Sequence, residues 1–227
     1  MTEPGGALEA WITGATGLVG RALVSELCRR STSGNVTALV RRVEGRKEPR
    51  FEERVVAFDR LELELTGFSA THAFCCLGTT MAKAGSEEAF RRVDYDYPLA
   101  FGRAACAAGV RKFLVVTAIG ADPKSSIFYN RVKGEVERAL ADLGLPELHV
   151  FRPSLLLGER NERRPAERLA MALAKPAGAL LLGRLAKYRP IDATRVARAM
   201  VNVALDERPA EAVTIYEFDR IAELAAK

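Results

Sequence analysis

The chain has 227 residues, of which 48% are hydrophobic and 28% charged, and its formal net charge is +5. This length and balance are typical of one globular domain that buries its own core and needs neither disulfides nor a metal to fold. Because lysine and arginine are scattered among acidic residues, we expect solvated helix faces and no nucleic-acid-binding surface.

No apolar run approaches the ~20 residues that a transmembrane helix needs, and the first residues lack the basic and apolar regions of a signal peptide. We therefore expect no membrane association and a cytoplasmic location. The cysteines show no metal-ligand spacing, so we expect small buried thiols and no bound metal. They are Cys28, Cys75, Cys76 and Cys106.

The first predicted elements are a strand, a tight turn and a helix. An apolar run over 8–13 ends in Gly14, Gly17 and Gly20, and apolar residues at helical spacing follow. Gly14 permits a sharp exit from the strand, Gly17 lets the backbone approach a ligand, and Gly20 lets the helix pack closely. Because a helix N-terminus favours an anion, the turn predicts a nucleotide-phosphate site. The spacing differs from the plainest dinucleotide fingerprint, so a purely structural turn is the alternative.

The second predicted strand, 35–40, ends in Arg41 and Arg42. In dinucleotide-binding folds an acidic residue at this place accepts from the ribose 2′-OH of NAD, whereas arginine suits the 2′-phosphate of NADP. The sequence therefore favours NADP(H) as cofactor. Two surface arginines without a ligand are the alternative.

Strands and helices then alternate, which predicts an α/β fold with a doubly wound parallel sheet of Rossmann type. The predicted strands are 54–58, 71–77, 112–117 and 147–152, and the predicted helices are about 86–108 (interrupted near Pro98), 126–143 and 192–206. We interpret 1–227 as a single domain in which 154–190 forms a small cap on the substrate side. Within this part of the chain 158–168 is rich in charge and 169–185 is apolar, and the region 155–185 is a candidate surface for a protein partner.

Tyr129 and Lys133 lie four residues apart on the predicted helix 126–143, and therefore on one helical face. A cation near a phenol stabilises the phenolate, so the tyrosine can donate a proton to a carbonyl or take one from an alcohol. The lysine can also hold the nicotinamide ribose. Alone, this spacing is more simply an exposed helix face; the phosphate-binding turn upstream gives it its significance.

Five segments in this order resemble the short-chain dehydrogenase/reductases, and more narrowly their atypical NAD(P)H-binding branch, which includes Tat-interacting-type proteins and their bacterial relatives. They are 14–20, 39–42, 76–80, 128–135 and 152–158. The resemblance covers nearly the whole chain. It implies an NADP(H)-dependent oxidoreductase in which Tyr129 is the general acid and Lys133 is its electrostatic and ribose-binding partner.

By position, the resemblance also implies the residues that contact the cofactor. The expected cofactor-binding residues are Gly14, Ala15, Thr16, Gly17, Leu18, Val19 and Gly20 around the pyrophosphate, Arg41 and Arg42 at the 2′-phosphate, Leu77 and Gly78 beside the adenosine ribose and phosphates, and Tyr129 and Lys133. Asp94 can approach the cofactor side of its helix, as a polar residue does in relatives.

The chain departs from the family after the fifth strand, where a serine usually bonds the substrate oxygen. Here Thr117 is the candidate hydroxyl, although a strand-end side chain can equally face away from the site. Ser125 and Ser126 lie nearer to Tyr129 in sequence and can instead cap the helix.

Two functions follow. The first is an NADPH-dependent enzyme that reduces an unidentified small molecule with a carbonyl group or an activated double bond; the second is a non-catalytic NADP(H)-binding regulatory or redox-sensing protein. An intact Tyr129–Lys133 pair favours the enzyme, and the missing serine favours the regulator. A third hypothesis, a sugar-nucleotide epimerase, has weaker support, because the segment after Pro153 is short for a sugar-nucleotide subdomain.

The sequence does not determine the oligomeric state, since a monomer and a homodimer are equally compatible with it.

Overall fold

The structure is a computed structural model that describes residues 7–30, 33–158, 188–208 and 210–227. Its strands are β1 (Leu8–Thr13), β2 (Ser33–Val40), β3 (Phe51–Val55), β4 (His72–Cys75), β5 (Lys112–Val116), β6 (Glu147–Phe151), β7 (Leu156–Leu157), β8 (Ile191–Asp192) and β9 (Val213–Tyr216). Seven of them form a sheet in the order β3-β2-β1-β4-β5-β6-β9, and every neighbouring pair is parallel. β7 and β8 form a separate short parallel pair.

Helices cover both faces of the sheet. They are α1 (Leu18–Arg29), α2 (Leu61–Glu64), α3 (Met81–Ala84), α4 (Glu87–Arg91), α5 (Tyr97–Ala107), α6 (Phe128–Ala141), α7 (Ala193–Ala204) and α8 (Phe218–Leu224). One core lies between the sheet and α1, α7 and α8, and the other lies between the sheet and α2, α5 and α6. The predicted doubly wound parallel sheet is therefore confirmed.

The core on the α1 side joins the two ends of the chain. Leu23 and Leu27 of α1 and Val196 and Met200 of α7 are all fully buried in it. Burial of side chains of this size stabilises a fold by roughly 1.5–3 kcal/mol each. Arg30 adds a hydrogen bond from its Nη2 to Asn202 Oδ1 of α7 at 3.0 Å.

The predicted third strand, 54–58, is wrong in its bounds. β3 spans Phe51–Val55, and Phe58 begins a 3₁₀ turn before α2. β3 is an edge strand whose charged side chains are exposed or half-buried, while its backbone pairs with β2. Thr37 Oγ1 of β2 donates to Glu52 Oε1 at 3.0 Å. A run with many charges therefore forms a strand here.

Several elements were not predicted, among them two near the end of the chain, and one helix is irregular. β9 and α8 follow the helix that we expected to be the last; the β-branched run 213–216 was the available signal for β9. The long helix predicted over about 86–108 consists of α4, a π-helical turn at Arg92–Asp96, and α5, whose first turn holds Pro98. The irregularity therefore lies just before the proline.

The predicted cap at 154–190 lies largely outside the described residues, as does the predicted partner-binding segment 155–185. Of the cap, the structure describes 154–158 and 188–190, where Gly158 lies close to the Leu18 side chain. Among the described helices, none is long and apolar enough to cross a membrane. Within the same residues, no group of three or more His, Cys, Asp or Glu side chains is placed to hold a metal.

A buried polar cluster holds the amino ends of β4, β5 and β6. Lys112 Nζ donates to the Val203 carbonyl at 3.2 Å and to the Asp206 carbonyl. His72 Nε2 donates to the Ala204 carbonyl at 3.1 Å, and His149 Nε2 is 3.1 Å from Glu147 Oε2. The cluster thereby supplies donors to the carbonyl groups that the end of α7 leaves without helical partners.

This cluster predicts loss of stability in acid. Burial, with the nearby cations Arg111 and Lys112, lowers the pKa of His72 to about 3. The pKa of histidine in an unfolded chain is about 6.5. Between these two pKa values, His72 of the unfolded chain binds a proton and His72 of the folded chain does not. The contribution of neutral His72 to the free energy of unfolding is fully present above pH ~6.5. It should be lost, at a cost of several kcal/mol, as the pH drops from ~6.5 toward ~3.

Urea unfolding at several pH values measures this effect. His72→Gln should be less stable than the parent at neutral pH but should lose less stability on acidification. Burial also lowers the pKa of His149, so part of the pH dependence should remain in the variant. Identical pH dependence in parent and variant would show that His72 does not contribute.

Candidate functional site

The candidate site is a crevice at the carboxyl ends of the neighbouring strands β1 and β4. After β1 the chain continues to β2 in one half of the sheet, and after β4 it continues to β5 in the other half. Open parallel sheets bind ligands at this switch point. The crevice has an outer lobe of about 480 Å³ and an inner lobe of about 360 Å³, both of which contact Thr16 and Leu77. The outer lobe is lined by residues that include Ala15, Leu39, Arg41, Arg42, Glu44 and Phe58. The inner lobe is lined by residues that include Leu18, Gly78, Asp94, Thr117, Tyr129 and Lys133.

Every predicted site residue except Gly20 lines one of these lobes. Gly20 is buried under the turn, where an added Cβ would lie 2.1 Å from the Gly14 carbonyl oxygen. Gly14 has a φ of +75°, and a Cβ there would lie 2.4 Å from the Cys76 carbonyl. Both glycines are therefore required by the fold itself, because they let the turn, α1 and the end of β4 pack together.

The N-terminus of α1 borders the inner lobe. Gly17 is its N-cap residue, and the Gly17 N–H donates to the Gly14 carbonyl at 3.0 Å, which closes the turn. Gly17, Leu18 and Val19 line the inner lobe. The first turn of a helix carries N–H groups without intrahelical acceptors and a partial positive charge, so this surface suits a phosphate.

Gly78 provides a space that the protein does not fill. It follows β4 and is exposed, and an added Cβ would lie 3.6 Å from Asp94 Oδ1 and 3.7 Å from Lys133 Nζ. These are ordinary contact distances, so the packing of the chain does not itself require glycine. The missing side chain leaves room for a ligand directly beside the Lys133 ammonium, and the site therefore fits a ribose.

Arg41 and Arg42 follow β2 at the edge of the outer lobe, and both are exposed. Neither arginine forms a salt bridge with a carboxylate in the described part of the chain. Their guanidinium groups remain available to an anionic ligand, for which the planar donor fork is well suited. Leu39 and Phe58 provide apolar surface in the same lobe.

Lys133 forms a buried ion pair with Asp94. Lys133 Nζ lies 2.7 Å from Asp94 Oδ1, and the side chains are 5% and 0% exposed. Asp94 Oδ2 also accepts the Thr79 N–H at 2.8 Å. Asp94 lies in the π-helical turn, and such turns are frequent at functional sites. One carboxylate thus ties the helix to the segment after β4 and to the lysine.

The ion pair maintains the charge of Lys133. Burial opposes the ammonium form, but the Asp94 carboxylate and the Tyr129 phenol outweigh it and raise the pKa of Lys133 above its ordinary value. Tyr129 lines the same lobe, and its ring packs against the fully buried Phe90 with 5.6 Å between ring centroids. The site therefore keeps a cation near a phenol whose ring is held by packing.

The Thr117 hydroxyl is already engaged. Thr117 is 6% exposed, and its Oγ1 donates to Glu137 Oε1 at 2.5 Å, while Arg152 Nε donates to the same oxygen at 3.0 Å. A hydroxyl has one proton to donate, so Thr117 can donate to a substrate oxygen only if its bond to Glu137 breaks. Ser125 Oγ accepts the Ile127 N–H at 3.1 Å, beside the start of α6.

Sequence reasoning missed several residues of the crevice, among them two polar ones. Glu44 lines the outer lobe, and Thr79 lines the inner lobe beside Asp94. The position of Glu44, three residues after Arg41, was the only available signal for it. No sequence pattern showed that Asp94 pairs with Lys133, because the π-helical turn shifts the register of the helix.

Comparison with known proteins agrees with this geometry. A protein-family model described as NAD(P)H-binding matches residues 14–150. Protein HTATIP2 (TIP30) of Rattus norvegicus is 40% identical over 169 residues, which cover 70% of this chain and 67% of the relative. The mitochondrial protein FMP52 of Coccidioides immitis is 31% identical over 207 residues, covering 86% and 84%.

Solved structures share the fold at low identity. MoeE5, solved with UDP-glucose and NAD, aligns with a TM-score of 0.67 at 17% identity and covers 96% of this chain and 81% of its own. WbmH of Bordetella bronchiseptica, solved with NAD⁺, has a TM-score of 0.68 at 15% identity, covering 96% and 79%. At such identities the likeness shows the Rossmann-like fold alone.

The names of the relatives correct the predicted location. FMP52 proteins of Coccidioides immitis, Scheffersomyces stipitis and Aspergillus fumigatus are 30–32% identical to this chain and are named mitochondrial. They contradict the cytoplasmic location that we expected from the sequence. That expectation relied on the absence of a recognisable leader, and such an absence does not determine a compartment.

Proposed function

This chain belongs to the NAD(P)H-binding family, in its atypical short-chain dehydrogenase/reductase branch, and from that premise we propose that it is an NADPH-dependent oxidoreductase. Its substrate is a small molecule with a carbonyl group or an activated double bond. The observation that carries the proposal is that Tyr129 and the ion-paired Lys133 line the same lobe as the phosphate-binding turn.

The roles of the residues follow from their positions. The turn at 14–17 and the start of α1 would hold the pyrophosphate, Leu77 and Gly78 would lie beside the adenosine ribose and phosphates, and Lys133 would hold the nicotinamide ribose. The reduced nicotinamide supplies a hydride when it is bound. Tyr129 donates its phenolic proton to the substrate oxygen, and the Lys133 ammonium stabilises the phenolate that remains. Asp94 keeps Lys133 charged and oriented.

Arg41 and Arg42 support NADP(H) over NAD(H), because both are exposed at the outer lobe and neither forms a salt bridge within the described residues. We expect Arg41→Ala/Arg42→Ala to raise the Kd for NADPH about ten- to hundredfold and to leave the Kd for NADH within about twofold. Calorimetric titration of parent and variant with both nucleotides measures this. Arg138→Ala/Arg195→Ala, which removes two exposed arginines elsewhere, is the matched control. Equal losses for both nucleotides would refute selection by the 2′-phosphate.

A non-catalytic NADP(H)-binding regulator is the second candidate. It is favoured by the Thr117 hydroxyl, whose proton is committed to Glu137 and not to a substrate. In this case binding of NADP(H) would control the interaction with a protein partner, for which the sequence offers the region 155–185. NADPH oxidation measured against a panel of aldehydes, ketones and quinones separates the candidates. Turnover supports the enzyme, and tight NADPH binding without turnover supports the regulator.

A further inference from the structure

A carboxylate lies among the cations of the outer lobe. Glu44 lines this lobe together with Arg41 and Arg42, and Glu44 Oε2 is 3.4 Å from Arg21 Nη2. Arg21 is on the first turn of α1 and lines the inner lobe, and its Nε donates at 2.8 Å to the carbonyl of Thr16, a residue that both lobes share. The Arg21 guanidinium is therefore anchored on the phosphate-binding turn, with Glu44 as its counter-ion.

The backbone of Glu44 is held on two sides. The N–H groups of Glu44 and Gly45 donate to Glu53 Oε2 at 3.1 and 2.8 Å, which ties the loop to β3. Arg46 Nη1 donates to the Arg21 carbonyl at 3.1 Å, which ties the loop to α1. The Glu44 side chain is 37% exposed, so it can turn away from Arg21 while its backbone stays at the lobe.

An acidic side chain near the end of β2 has two chemical uses. A carboxylate free of cations accepts from the ribose 2′-OH of NAD. A carboxylate paired with arginine instead occupies donors that a phosphate would use, and it repels that phosphate. Glu44 is of the second kind, because it pairs with Arg21 and shares its lobe with two more arginines.

We propose that Glu44 is the resident counter-anion of the 2′-phosphate subsite and that Arg21 is a third cation of that subsite. This inference rests on the proposed NADP(H) function and deepens it. The 2′-phosphate displaces Glu44 from Arg21, and the remaining repulsion limits the preference for NADP(H) over NAD(H). The carboxylate thus sets how strongly the protein discriminates between the two cofactors.

Calorimetric titration of Glu44→Gln and Arg21→Gln with NADPH and NADH tests the proposal. Glu44→Gln should lower the Kd for NADPH about three- to tenfold, as expected for one negative charge removed near the phosphate in a solvated site. Arg21→Gln should raise the Kd for NADPH by a similar factor, and both variants should bind NADH within about twofold of the parent. The Glu44 effect should shrink in high salt.

Glu48→Gln is the matched control, since Glu48 pairs with Arg46 at 3.0 Å and leaves Arg21 and Glu44 intact. Weaker NADH binding by Glu44→Gln would show that the carboxylate accepts from the ribose hydroxyl and would overturn the proposal. Unchanged binding of both nucleotides would overturn it as well. Failure of the parent protein to bind either nucleotide would instead defeat the proposed function itself.

Discussion

Replacement of Tyr129 by phenylalanine should reduce turnover about a hundred- to ten-thousandfold, the range typical of a lost general acid. The phenylalanine ring can keep the contact with Phe90, whose centroid lies 5.6 Å from that of Tyr129, so the fold and the cofactor lobes should be retained. We expect the Kd for NADPH to stay within about twofold of the parent. Single-turnover kinetics on the best substrate of the carbonyl panel measures the effect.

Tyr95→Phe is a suitable control, because Tyr95 is on another helix and its ring packs under the Arg91 guanidinium at 4.3 Å. It should leave turnover unchanged. If Tyr129→Phe keeps the turnover of the parent, Tyr129 is not the proton donor. A loss of NADPH binding in that variant would assign the tyrosine to cofactor binding.

Asp94→Asn should destabilise the protein by about 3–5 kcal/mol, because it leaves the Lys133 ammonium buried without its counter-ion. The asparagine oxygen can still accept the Thr79 N–H, so the change tests the charge more than the shape of the side chain. Urea unfolding of parent and variant at neutral pH measures the difference. A loss below ~1 kcal/mol would show that solvent or Tyr129 compensates the lysine without Asp94.

The pH dependence separates this loss of charge from a packing defect. Without the Asp94 carboxylate, burial should lower the pKa of Lys133 below that of an unfolded lysine, so the unfolded variant binds more protons. Stability of Asp94→Asn should therefore rise with pH, and the gap to the parent should narrow toward pH ~10. Asp96→Asn, on the exposed side of the same π-helical turn, should show neither effect. A gap that is constant with pH would indicate a packing defect.

The fold class could be predicted from the sequence because its signals are local. The run from Gly14 to Gly20 predicts a turn in which two positions, Gly14 and Gly20, admit only glycine. The alternation of strands and helices leaves few topologies other than a doubly wound sheet. That Tyr129 and Lys133 line the same lobe was predictable, because helical spacing alone places them on one face. Arg41 was found because the end of the second strand has a fixed place in such sheets.

The remaining features depend on contacts between distant segments. The direction of the Thr117 hydroxyl is decided by Glu137 and Arg152, which follow it by 20 and 35 positions in the chain. The pairing of Asp94 with Lys133 depends on the extra residue in a π-helical turn, and regular helical spacing does not predict it. Glu44 stands in a charged loop whose shape depends on Glu53 and Arg46, so its place in the crevice is a tertiary property.

The contact between α1 and α7 has a consequence for how the protein is made. The helix that begins at the phosphate-binding turn buries Leu23 and Leu27 against Val196 and Met200, which a ribosome adds about 170 residues later in synthesis. Until then α1 exposes its apolar stripe to solvent or to a chaperone. Nascent chains that stop before α7 should therefore lack cofactor affinity, although they contain all the residues that would touch the cofactor.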